Sequence, residues 1–125
     1  MSKIKEATLT KTKVETKADE KGYVYVHLNF HAGPHGEGIR IWHSTFLIDH
    51  HSAHESKLVH AWNIAFAPQW TLLEPNQLFQ FLLVFEALPK SCKVFDLFER
   101  IPEDGGFEIK SIGRNKSDVY RLKLV

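Results

Sequence analysis

The sequence predicts an all-β fold, an antiparallel two-sheet β-sandwich of about seven to nine short strands. Two observations carry that expectation. Apolar residues recur at period two through most of the chain, which is the side-chain alternation of a strand. The runs that alternate are short, and Gly-, Pro- and Asp-containing turns separate them. Gln77 to Glu99, QLFQFLLVFEALPKSCKVFDLFE, shows both: an apolar run ends at Leu88-Pro89, a polar turn follows, and Val94-Phe95-Asp96-Leu97-Phe98 begins at once. No segment carries a sustained helical stripe. A closed barrel is the nearest competing architecture.

In chain order, Ala7 to Lys17 is Thr-rich and polar on both faces, and reads as a loosely held edge strand within the polar stretch 1–20. Between Tyr23 and Phe30, Val24, Val26, Leu28 and Phe30 take one face, with Tyr23, Tyr25, His27 and Asn29 on the other. His31 to Gly38, HAGPHGEG, reads as a loop. Ile39 to Ile48 is the next extended run, Asp49 to Glu55 a turn, and Lys57 to Ile64 the returning run. Paired as a hairpin, residues whose numbers sum to about 103 or 104 face each other, so His43 is expected beside His60. Leu58, His60, Trp62 and Ile64 are expected to share one face.

Ala67 to Asn76, APQWTLLEPN, reads as a long connection that pins Trp70 against the body. Gln77 to Ala87 is apolar on both faces, as for a central strand covered on both sides for part of its length. Pro102 to Gly106 is a turn, Phe107 to Ile112 a strand, and Gly113 to Ser117 another turn. In the terminal strand Val119, Arg121 and Lys123 alternate with Tyr120, Leu122 and Leu124. The chain reads as one domain, 1–125, with no internal repeat.

Composition narrows the function classes. With 43% hydrophobic and 12% aromatic residues, the chain supports a packed core. A formal net charge of +1, with both signs interspersed, gives no basic stripe for nucleic acid. No window reaches the ~18 apolar residues of a membrane span, and the N-terminus has no apolar signal segment. As written the chain is expected to be cytoplasmic, or periplasmic or secreted if a signal peptide has been removed. A lone cysteine, Cys92, allows no intrachain disulfide.

Three pieces carry a family resemblance: IWHSTFLID (Ile41 to Asp49) with the small polar turn after it, KLVHAWNI (Lys57 to Ile64), and the aromatic strand Phe79 to Phe85 followed by Leu88-Pro89 and Phe95-Asp96-Leu97-Phe98-Glu99. Together they resemble a group of uncharacterised immunoglobulin-like β-sandwich domains found mainly in Bacteroidetes, with a Thr-x-Leu-x-Asp … Leu-Pro … Asp-Leu-x-Glu pattern. The resemblance covers roughly 39–100. It implies the immunoglobulin-like arrangement and an accessory or binding module, and brings no activity with it. The turn here is His-rich where that group carries a Gly-containing one.

Eight histidines are the compositional oddity. His50, His51 and His54 sit in one turn, with His43 and His60 expected lower on the same hairpin. Neutral imidazole is a good ligand for Zn, and Asp49 or Glu55 would complete a site. His-His-x-x-His in a single turn nevertheless lacks the rigid ligand pairs of a structural zinc site, so exposed histidines are the favoured reading. Cys92 has no histidine base in view, no serine sits in a Gly-x-Ser-x-Gly elbow, and the glycines of HAGPHGEG precede no helix. Glu86, Asp96 and Glu99 read as strand-terminating or solubilising charges. Phe30, Phe79, Phe81, Phe85, Phe95 and Phe98 are expected to fill the core.

The two hairpin strands carry large apolar groups on both faces, although one face of an antiparallel sheet is usually wet. The expectation is therefore a non-enzymatic module that binds a protein partner or forms a homo-oligomer through an exposed surface of Trp42, Phe46, Ile48, His60 and Trp62. The alternative is a His-dependent metal-binding protein, with hydrolase chemistry as one form of it, and Zn held by His43, His50, His51, His54 and His60. Glycan or small-molecule capture by end loops is a third class, resting on fold analogy.

Overall fold

A computed structural model describes residues 22–124. The expected edge strand Ala7 to Lys17 lies outside the described residues. Among those, nine strands and no helix occur: β1 (Val24–His31), β2 (Glu37–Ile39), β3 (Thr45–Asp49), β4 (Glu55–Trp62), β5 (Thr71–Leu73), β6 (Leu78–Phe85), β7 (Val94–Glu99), β8 (Glu108–Gly113) and β9 (Val119–Leu124). Seven form one sheet in the order β8-β7-β3-β4-β6-β1-β9, and β2 and β5 form a separate ribbon. All pairings between the named strands are antiparallel except β1 with β9.

The sheet curls nearly into a barrel. Its outermost strands, β8 and β9, are consecutive in the chain, so five residues (114–118) bring the two ends of the strand order together. Phe95 of β7 meets Tyr120 of β9 edge-on, ring centres 5.2 Å apart, across the interior. Arg114 ties the closure: its Nε and Nη2 donate to the Asp118 carboxylate at 2.7 and 3.0 Å, and its Nη1 donates to the carbonyls of Pro89 and Cys92 in the β6–β7 loop. The Tyr120 hydroxyl donates to Asp118 at 3.0 Å and accepts the Asn115 N–H.

The all-β expectation stands; the separation into two sheets does not appear in the pairing. The reason lies in β4. Its first residues pair with β3 (Ile48↔Glu55, Leu47↔Ser56, Phe46↔Lys57), and its later ones pair with β6 (Leu58↔Phe85 through Trp62↔Leu82). One strand long enough to change partners joins what would otherwise be two layers.

Alternation places the core inside the curl. Val24, Val26 and Leu28 of β1, Phe79, Phe81, Leu83 and Phe85 of β6, and Phe95 and Leu97 of β7 are all buried. The cores of β1 and β6 follow the sequence pattern residue for residue. Phe98 does not join them: it points outward beside Phe46. Glu99 and Asp49, by contrast, follow Leu97 and Leu47 at period two and are buried.

Two local departures shape the surface. The extended run Ile39 to Ile48 is broken, since β2 ends at Ile39 and β3 starts at Thr45. The break is held by polar contacts: the Trp42 N–H donates to Glu99 Oε2 at 2.8 Å, the Thr45 hydroxyl donates to Trp42 O, and the Ser44 hydroxyl donates to Arg100 O. The connection Ala67 to Asn76 contains β5, which pairs with β2 out of the expected loop. Trp70, expected to be pinned, is 53% exposed over Gly38, where a side chain would meet its ring at 3.0 Å.

Candidate functional site: the outer face around Trp62

The β3–β4 register agrees with the hairpin arithmetic, each pair summing to 103. It ends at Lys57, however, and the register then shifts between Leu58 and His60. Val59 is the extra residue of a β-bulge. Without it Leu58, His60 and Trp62 would share a face. With it, Leu58 packs on the core, while His60 pairs Val84 and Trp62 pairs Leu82 on the outer side of β6. One unmatched residue therefore turns an indole out to solvent, where it is 52% exposed.

Outward positions on the neighbouring strands complete the face. In register they run His60–Val84–Tyr25–Val119, then Trp62–Leu82–His27–Arg121, then Gln80–Asn29–Lys123, then Leu78–His31. Leu78 is 76% exposed. Asn63, in the left-handed region at φ 68°, ends β4 and donates from Nδ2 to Gln80 O at 2.7 Å, fixing the rim beside Trp62. An open depression of about 870 Å³ lies here, with Trp62, Leu78, Gln80, Asn29 and Lys123 in its lining. His27 is half-buried; burial first, and the Arg121 guanidinium second, hold its imidazole below the usual range. Besides the histidines, the basic groups on these rows are Arg121 and Lys123.

The expected surface of Trp42, Phe46, Ile48, His60 and Trp62 is thus divided, and only His60 and Trp62 lie on this face. Trp42 belongs to the break before β3, with the Arg40 guanidinium 5.4 Å from its ring. Phe46 points outward on β3, but Arg100 lies 4.8 Å from its ring and ion-pairs with Glu55 at 2.8 Å. Ile48 sits between Glu55 and Asp96 in register. Charged side chains cap that half of the sheet.

The expected histidine set does not converge. His43 precedes β3, outside the β3–β4 pairing expected to set it beside His60, and stacks on Phe66, ring centres 3.8 Å apart and planes 5° from parallel. His50 Nε2 lies 2.6 Å from Asp96 Oδ1, whereas His51 and His54 are held through their backbone N–H groups by Asp49 and Ser52. Among the described residues no group of three His, Cys, Asp or Glu side chains is placed to hold a metal ion. Cys92 is buried; burial first, and Asp49 second, push its thiol up to about 11, where thiolate is scarce at neutral pH.

The histidine turn is instead organised by Asp49, whose carboxylate accepts the Ser52 hydroxyl at 2.6 Å and the His51 and Ser52 N–H groups. The Ser52 hydroxyl first, with the backbone donors after it, holds Asp49 down to about 2. A carboxyl depressed from its ordinary 3.8 contributes stability above that value, and the contribution is lost as pH falls through about 2. Thermal melts should therefore show wild type losing more stability than Asp49→Asn between those two pH values. Parallel melting curves for the two proteins would contradict this role.

A second exposed pair, Trp70 and Leu72 (82% exposed), stands on the β2–β5 ribbon. There the Arg40 guanidinium lies 3.8 Å from the Trp70 ring centre and donates to Pro68 O. Sequence reasoning missed Leu78, Leu82, Arg121 and Lys123 as site residues. Their outward parity was readable, but the parallel placement of β9 beside β1 had no local signal. No family model, curated protein or solved structure matches the chain.

Proposed function

We propose that the chain is a non-enzymatic binding module that docks a protein partner through the outer face of β4–β6–β1–β9. Its architecture is that of an immunoglobulin-like sandwich whose layers are joined through β4. The observation that carries the functional reading is the bulge at Val59, which sets Trp62 out beside Leu82, on the same outer face as the exposed Leu78. A bulge re-aims side chains, and a half-exposed indole on a face that also carries an exposed leucine is the kind of anchor that dominates protein interfaces.

Trp62→Ala tests it. The side chain is half in solvent, so the variant should fold with a stability change within about 0.5–1 kcal/mol. Peptides selected on the wild-type protein from a displayed random library should bind the variant at least about tenfold more weakly, as for an interface hot spot. Undiminished binding by both Trp62→Ala and Leu78→Ser, in folded protein, would overturn the proposal.

A further inference from the structure

Apolar Trp62, Leu82 and Leu78 stand on β4 and β6, the amides of Gln80 and Asn29 lie between the Leu82 and Leu78 rows, and the cations Arg121 and Lys123 stand on β9. Strands lie ~4.8 Å apart, so the indole and the Arg121 position are about 14 Å apart along the sheet, a distance four to five residues of extended chain can span. None of these rows holds a carboxylate. Glu86 follows β6 at the far end and accepts the Lys57 N–H, while Asp118, just before β9, is taken by Arg114. No ion pair of Arg121 or Lys123 is found among the described residues.

Building on the binding-module reading, we infer that the partner this face takes is an acidic polypeptide segment lying across β6 and β1. One of its apolar side chains rests on Trp62 and Leu82, and its carboxylates meet Arg121 and Lys123. Charge complementarity selects this occupant over the others. A second copy would set the same cations against a face without carboxylates. The chain's own residues 1–21 carry six lysines against Glu6, Glu15, Asp19 and Glu20, and so share the sign of the face. A saccharide would use the indole and the amides but gains nothing from Leu78 at 76% exposure.

The probe is a displayed library of random dodecapeptides selected on the full chain at low salt. Recovered sequences should be enriched in Asp and Glu around a Trp, Phe or Leu. Arg121→Glu with Lys123→Glu should weaken them at least tenfold, as should raised salt. Amide and indole NMR signals of Trp62, Gln80 and Lys123 should shift on titration. Recovered peptides without acidic enrichment, or with affinities that the charge-reversed variant leaves unchanged, overturn this inference. If such peptides still depend on Trp62, the binding-module reading survives. Failure to recover any Trp62-dependent binder overturns both. A dimer in sedimentation that Trp62→Ala dissociates assigns the face to a second copy, and binding seen only after removal of residues 1–20 assigns it to the N-terminal segment; either result overturns the acidic-partner inference.

Discussion

Arg114→Ala is expected to lower the stability of the fold by about 2–4 kcal/mol, the largest loss among the substitutions considered. The guanidinium is only 20% exposed and makes four hydrogen bonds, two to Asp118 and two to the carbonyls of Pro89 and Cys92. Removing it leaves the partly buried Asp118 carboxylate without its cation and two carbonyls without donors, where the two ends of the strand order approach each other. For a domain of this size that corresponds to a fall in melting temperature of roughly 10–20 °C. Arg114→Lys should recover only a minor part, because a point charge cannot reproduce the planar fork. Melting within about 2 °C of wild type for Arg114→Ala would show that closure does not depend on this residue.

Glu99→Ala comes second, at about 2–3 kcal/mol. Its Oε2 accepts the Trp42 N–H at 2.8 Å and its Oε1 the Phe107 N–H at 3.0 Å, joining the break before β3 to the segment before β8. The variant leaves both backbone donors without that acceptor in a region where water has little access. Burial pushes the Glu99 carboxyl above its ordinary value, and the two N–H donors only partly offset this. A carboxyl with a raised folded-state pKa takes up protons more readily in the folded protein. Its contribution to stability therefore falls as pH rises through the interval above 4.5. Glu99→Gln should remove that slope while losing part of the stability, since an amide offers one acceptor oxygen where the carboxylate offers two. Denaturant titrations at several pH values measure both effects. A Glu99→Gln protein with wild-type stability and wild-type pH slope would contradict the bridging role.

Much of the scaffold was legible because period two is a strong signal wherever one face is buried. Val24, Val26 and Leu28 point inward as the pattern requires, and the Phe46↔Lys57 pair falls where turn arithmetic places it. The interior places of Asp49 and Glu99 were readable in the same way, each following a buried leucine at period two; their charge was taken as a sign of the surface. The remainder depends on non-local contacts. The three-residue strands β2 and β5 are too short to carry a period, and each forms because the other is there to pair with it. The parallel β1–β9 pairing joins segments from opposite ends of the chain.

The candidate site turned on a feature of a single residue. Leu58-Val59-His60-Ala61-Trp62 has no glycine or proline to mark a bulge, so uninterrupted alternation put Leu58 and Trp62 on one face. The extra residue separates them, and the expected five-residue surface divides with it. Phe46 and Ile48 stay under the ion pairs of the β3–β7 half, whereas His60 and Trp62 join Leu78, Leu82 and the cations of β9.

The most direct test of that account is the fluorescence of Trp62 alone, in a protein carrying Trp42→Phe and Trp70→Phe, quenched by iodide at constant ionic strength. The account predicts a solvent-exposed emission strongly quenched by iodide, and weaker quenching when Arg121 and Lys123 are both changed to Glu. A buried, poorly quenched emission, or quenching indifferent to the charge reversal, would contradict it.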